Sequence, residues 1–232
     1  AMRGFELYQC CMEVLTAEKP RFSKTLAPCH PLGAFIEVNY DFTDKMGISS
    51  QFGYFNGSAG TIDEEHDINL GLIIRTPLEG LSVAGFYTDW QQDFEYDGEP
   101  DNGYRMGFGL DYNAFNAHMR GEYYLGKGFY SSFEDVTSED LKMSAFYIEG
   151  AYAVQTGSDV LSYVQPYVMY QSWDKASNVE GDHIYSYLTT GVSIGLCEYN
   201  AKLRIDYEMP LSAPNDAPEE AAKLIIRIQG GI

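Results

Sequence analysis

The chain has 232 residues, 34 of them acidic and 15 basic, for a formal net charge of −19; Tyr (19), Phe (13) and Gly (23) are plentiful. So acidic a chain excludes nucleic acid as a partner, because a phosphate backbone calls for a basic surface. No run of about 18 apolar residues exists, which excludes a transmembrane helix; the densest aliphatic stretch, Leu70-Gly71-Leu72-Ile73-Ile74, stops at Arg75.

At the amino end, Ala1 to Glu6 show no charged segment leading into an apolar one, so no signal peptide is visible. A secreted protein would have lost it. Residues 4–12 read as a weak strand, which would leave 1–33 as one strand plus a long link. Cysteines stand at 10, 11, 29 and 197. The vicinal pair Cys10-Cys11 lacks the two-residue gap of zinc knuckles, and no metal or other cofactor is expected. A bridge from Cys10 or Cys11 to Cys29 would suit an oxidising periplasm, and free thiols are the other reading.

From residue 34 onward, alternation at period two dominates. Ile36, Val38, Tyr40 and Phe42 interleave with Glu37, Asn39 and Asp41. Tyr104, Met106, Phe108, Leu110 and Tyr112 interleave with Arg105, Gly107, Gly109 and Asp111. Ala117, Met119, Gly121, Tyr123 and Leu125 alternate with His118, Arg120, Glu122 and Tyr124, and Leu203, Ile205 and Tyr207 with Lys202, Arg204, Asp206 and Glu208. The pattern predicts strands over 34–42, 47–56, 66–76, 81–90, 103–112, 116–125, 143–154, 161–173, 183–196, 200–209 and 221–230. With 4–12 the count reaches about twelve. Two of these fit less well: both faces of 81–90 are mixed, and Pro166 falls inside 161–173, where a closed sheet tolerates proline only at a bulge.

Most of these strands are near ten residues, the length a tilted strand needs to cross a bilayer, whereas strands of soluble domains centre on about 5–6. The links alternate in length. Thr43–Met46, Pro77–Gly80, Asn113–Phe115, Gln155–Asp159 and Cys197–Tyr199 are short; Gly57–Glu65, Gln91–Asn102, Gly126–Leu141, Asp174–Gly181 and Pro210–Glu220 are long and mostly acidic. An up-and-down antiparallel barrel in an outer membrane has short periplasmic turns and long outer loops. The expected fold is therefore all-β, a single transmembrane antiparallel β-barrel spanning 1–232. Tyr40, Phe42 and Tyr112 near short links, and Tyr123, Tyr170, Trp173, Tyr185 and Tyr207 near long ones, would form two interfacial girdles.

In such a barrel the polar set faces the lumen. Candidate pore-lining residues are Arg105, Arg120, Lys202, Arg204 and Arg227 on the basic side, and Asp111, Glu122, Glu149 and Asp206 on the acidic side, joined by Glu37, Asp41 and Glu208. Opposed charges on a pore wall hold water and orient polar solutes, and rings of charge set ion preference. The plainer reading is that they pair across the wall and fill a narrow barrel. Catalysis is not expected: His30, His66, His118 and His183 are scattered, and neither a Gly-x-Ser-x-Gly elbow nor a phosphate loop occurs. Asp111 with His118 could be imagined in a hydrolase, but His118 reads as an ordinary lumen residue.

The carboxyl half carries a recognisable order of elements. Phe146-Tyr147-Ile148-Glu149-Gly150-Ala151-Tyr152 precedes Val164-Gln165-Pro166-Tyr167-Val168-Met169-Tyr170; Leu188-Thr189-Thr190-Gly191-Val192, Ala201-Lys202-Leu203-Arg204-Ile205-Asp206-Tyr207-Glu208 and Leu224-Ile225-Ile226-Arg227-Ile228-Gln229 follow. Over residues 143–229 this order resembles the phosphate-selective porin (O and P type) family. The resemblance implies a passive diffusion channel in a bacterial outer membrane, passing ions and small hydrophilic solutes, with lipid as its surroundings and a homotrimer as one assembly. Members of that family commonly have about sixteen strands, so the chain would be a carboxyl-terminal portion or a shortened member. It departs from them in closing on Gly230-Gly231-Ile232 where an aromatic is usual, and the basic ladder that gives phosphate selectivity is not matched residue by residue. The excess acid of the links predicts a weak cation preference instead. Two other readings stand beside this one: a plugged structural or adhesive barrel, with Phe129-Tyr130 in its longest link, and a soluble β-sandwich that binds carbohydrate through its tyrosines.

Overall fold

Period-two patterning leaves the backbone one economical solution, a ladder of long strands each turning back on the last. The computed structural model describes residues 33–56, 66–92, 101–127, 132–133, 136–137, 141–181, 183–196, 201–214 and 220–230. Its strands are β1 (Gly33–Asp41), β2 (Gly47–Asn56), β3 (His66–Arg75), β4 (Leu81–Gln92), β5 (Asp101–Ala114), β6 (Ala117–Lys127), β7 (Ser132–Phe133), β8 (Val136–Thr137), β9 (Lys142–Tyr152), β10 (Val154–Gln155), β11 (Leu161–Asp174), β12 (Ile184–Leu196), β13 (Ala201–Ser212) and β14 (Lys223–Gly230). No helix occurs among the described residues. The eleven long strands pair antiparallel in chain order in a 12-stranded sheet, with β10 added on β11; β7 and β8 form a separate two-residue ribbon between β6 and β9.

All eleven strands expected from residue 34 onward are present, within a few residues at their ends. The candidate strand 4–12 and all four cysteines lie outside the described residues. Among the described strands the sheet is an open meander: β1 pairs only with β2, and β14 only with β13.

Register keeps each face continuous. Tyr40, Ile48, Ile74, Val83, Leu110, Gly121, Ile148, Tyr170, Leu188 and Met209 are cross-strand partners in succession, one apolar row across ten strands. This apolar face is the exposed one, with Phe108 at 62%, Ile148 at 52% and Ile226 at 61% accessibility. The opposite face is buried through the middle of the sheet. There Tyr124, Met143, Ala145, Tyr147 and Met169 pack together, with Phe86 and Trp173 against them. Phe86 lies across from Gly107 and occupies the space that a Cβ would take there, so an inner-face glycine is covered by an aromatic ring from the neighbouring strand.

The tightest link is Phe115-Asn116, both with positive φ (52° and 64°), the conformation of a two-residue hairpin whose twist matches its strands. Gly80, at φ 76°, packs against the Asn113 carbonyl so closely that a side chain would collide with it, and its own carbonyl accepts from the Asn113 N–H at 2.8 Å.

Three expectations are corrected. The alternation of link length is weaker than the sequence pattern indicates. β4 and β5 extend to Gln92 and Asp101, leaving 93–100 between them, while 153–160 between β9 and β11 is as long and carries β10. Trp173 and Tyr185 do not join an outer girdle. They fall in the row of Gly107, Tyr124 and Ala145 on the inner face, because strand parity and not proximity to a link decides the side. Pro166 itself stays in register opposite Val192, and the irregularity lies nearby: pairing with β12 shifts between Leu161 and Tyr163, and the ladder on the other side breaks between Val164–Val154 and Tyr167–Ala151. That break leaves room for a residue without an N–H.

Candidate functional site: the charged inner wall

The inner face holds every charged residue expected on a lumen wall. Asp41, Gly47, Arg75, Ser82, Asp111, Arg120, Glu149, Met169, Thr189, Glu208 and Lys223 are cross-strand partners in succession, so one belt of mostly polar and charged groups crosses all eleven long strands. At its first edge Arg75 pairs with Asp41, both more than half exposed.

The densest part of the belt lies on β5, β6 and β9. One oxygen of Asp111, Oδ1, accepts from Arg120 Nε at 2.8 Å and lies 2.8 Å from His118 Nε2. On its other side Arg120 faces Glu149 at 3.7 Å, a charge contact and not a hydrogen bond. Glu149 is 1% exposed, Asp206 1% and Arg204 2%, and Arg105 is also buried. Arg204 lies within electrostatic reach of Glu149, which links β13 to this cluster through space. Buried charges are retained where they are paired, since an unpaired one costs several kcal/mol. Arg105 stands apart, in the row of Thr88 and Gly126 toward the long-link end. Lys202, Arg204 and Arg227 gather at the short-link end, where Arg204 and Arg227 are direct partners.

Charge alone misses part of this wall. Gln171, Thr189 and Ser193 are buried on the same face, and Tyr147 lies directly opposite Glu122. Parity with Glu149, counted back two residues, would have placed Tyr147 there. The Asp111–His118 pair does not extend to a nucleophile: the cross-strand partners of His118 are Asn113 and Ala151, and Ser82 stands opposite Asp111 instead. No group of His, Cys, Asp and Glu among the described residues could hold a metal ion.

At the long-link end, the segment after β11 folds back on β9. Ser177 N–H donates to the Lys142 carbonyl at 2.9 Å, and Asn178 Oδ1 accepts from Lys142 N–H at 2.8 Å. Lys175 Nζ sits 4.1 Å from the Tyr185 ring centre and 4.7 Å from that of Trp173. Burial there pushes its ammonium below the usual lysine range, against the opposing pull of Glu220. Comparison of the chain with protein-family models and with curated proteins gives no match.

Proposed function

We propose that the chain is an outer-membrane β-barrel of the porin kind, closing around its charged face to form a narrow diffusion channel for ions and small hydrophilic solutes. The observation that carries this reading is the inverted burial: the apolar face is open to the surroundings, and the charged face is enclosed through the middle of the sheet. Water would penalise such a surface, whereas hydrocarbon favours it. The motif order over 143–229 adds the resemblance to phosphate-selective porins. Closure needs one further point of order. The first and last of eleven antiparallel strands run the same way, so an all-antiparallel ring needs one more strand between β1 and β14, the part that the reading of 4–12 assigns to it.

A plugged structural barrel is favoured by one observation, the very low exposure of Glu149, Asp206 and Arg204. A soluble sandwich draws no such support. It needs two facing sheets with apolar inner faces, and here all the long strands share one sheet whose apolar face is the exposed one. Reconstitution into planar bilayers separates the first two: discrete conductance steps are expected, and a protein that inserts without conducting is a plugged barrel.

A further inference from the structure

The inner wall is not uniform along its height. At the short-link end two neighbouring rows carry three cations. Gln165, Ser193, Arg204 and Arg227 form one row across β11 to β14, and Tyr163, Gly195, Lys202 and Gln229 form the next. Like charges directly opposite each other on neighbouring strands destabilise a sheet, yet Arg204 and Arg227 are such a pair and Arg204 is buried. A second observation points the same way. Ser193 is 1% exposed, and its hydroxyl has no hydrogen-bond partner among the described residues. A buried hydroxyl left unsatisfied forfeits the hydration it had in the unfolded chain. Two opposed guanidinium groups, an ammonium one residue-pair away and a waiting hydroxyl donor are together the donor set of an oxyanion site.

We propose that this end of the inner face binds a small monocarboxylate, bridged between Arg204 and Arg227, reached by Lys202 and hydrogen-bonded by Ser193. Charge selects among oxyanions. Asp206, on the same face of β13, and the through-space pull of Glu149 on Arg204 offset part of the three cations and leave a low net positive charge. A singly charged group with two coplanar oxygens matches that charge and the planar fork of guanidinium; a phosphate dianion would leave charge uncompensated in a sheltered site. Gln165 and Gln229 add neutral amide donors at the rim. The proposal rests on the inner face being a lumen wall that solutes reach.

The test is calorimetric titration of the full chain in detergent micelles with sodium propionate and, separately, with inorganic phosphate. Saturable propionate binding is expected, tighter than phosphate, and weakened about tenfold or more in Arg227→Gln. Ser193→Ala, which removes a single oxygen, is expected to weaken it several-fold and serves where Arg227→Gln does not fold. Absence of saturable propionate binding, affinity unchanged in the folded variants, or phosphate bound more tightly than propionate would overturn the proposal. Calorimetry needs no conductance, so a barrel that binds propionate but passes no current sinks the channel reading alone.

Discussion

At the scale of single residues, Arg120 has the most demanding position. Its guanidinium is bonded to Asp111 and faces Glu149, and both it and Glu149 are nearly inaccessible. Replacing a buried pair with apolar groups is often neutral, but removing one partner strands the other's charge. Arg120→Met should therefore destabilise the protein by about 3–5 kcal/mol. Adding Asp111→Asn and Glu149→Gln should recover much of that loss. Urea unfolding of vesicle-inserted protein measures both, and a single variant as stable as the parent would show that the cluster is hydrated instead of sheltered. Most charged members of this wall were legible in the sequence, because each shares strand parity with its neighbours; Arg75, closing a mostly aliphatic strand, was not. Their grouping was not. Whether Arg120 meets Asp111 or Arg204 meets Arg227 depends on the offset between strands, and period two fixes the face of a residue without fixing its cross-strand partner. Nothing in the pattern singles out the neutral members, Gln171, Thr189 and Ser193, because uncharged polar residues occur on either face of a strand.

Among the elements, the long strands were readable for a simple reason: a face that must be apolar throughout and another that must not impose alternation over ten residues or so, which few other structures demand. What the pattern could not supply was local irregularity. β10 and the slip between Leu161 and Tyr163 lie near Pro166, which itself stays in register with Val192, and no alternation marks them. Nearness to a link points Trp173 and Tyr185 to a girdle, whereas their parity with Gln171 and Tyr187 puts them on the inner face. The last strand gives the sharpest test of register. Leu224, Ile226 and Ile228 share a face with Tyr207, Ile205 and Leu203, while Arg227 faces Arg204 on the other. With the native cysteines replaced, a cysteine at 227 should react with a water-soluble maleimide and one at 226 should not. Ile226→Arg should cost about 2–4 kcal/mol if that position lies near the bilayer midplane; the reverse labelling pattern would turn the sheet inside out.

For the whole molecule, the first expectation is physical. An apolar face spanning eleven strands should make the protein depend on detergent and migrate faster unheated than boiled on a gel, and a stable detergent-free monomer would end the membrane reading. The second concerns the sign of the current. The inner wall sets Arg75, Arg105, Arg120, Lys202, Arg204, Arg227 and Lys223 against Glu37, Asp41, Asp111, Glu122, Glu149, Asp206 and Glu208, so it contributes little net charge. The surplus behind the formal charge of −19 lies mostly in the long links, in Asp63-Glu64-Glu65, Asp93, Glu95, Asp97, Glu99, Glu134-Asp135, Glu139-Asp140 and Glu219-Glu220. Charges at a mouth act over a Debye length, about 3 Å at 1 M salt and about 10 Å at 0.1 M. They should therefore be nearly silent in strong electrolyte and favour cations progressively as salt falls. The basic rows of Lys202, Arg204 and Arg227 oppose them from the far end, which keeps the preference weak. Reversal potentials across a potassium chloride gradient should show selectivity for potassium that grows on dilution and shrinks when Asp63, Glu64 and Glu65 are neutralised together. Anion preference at low salt would mean that the wall arginines outweigh the links, and that the field at the basic end governs what passes.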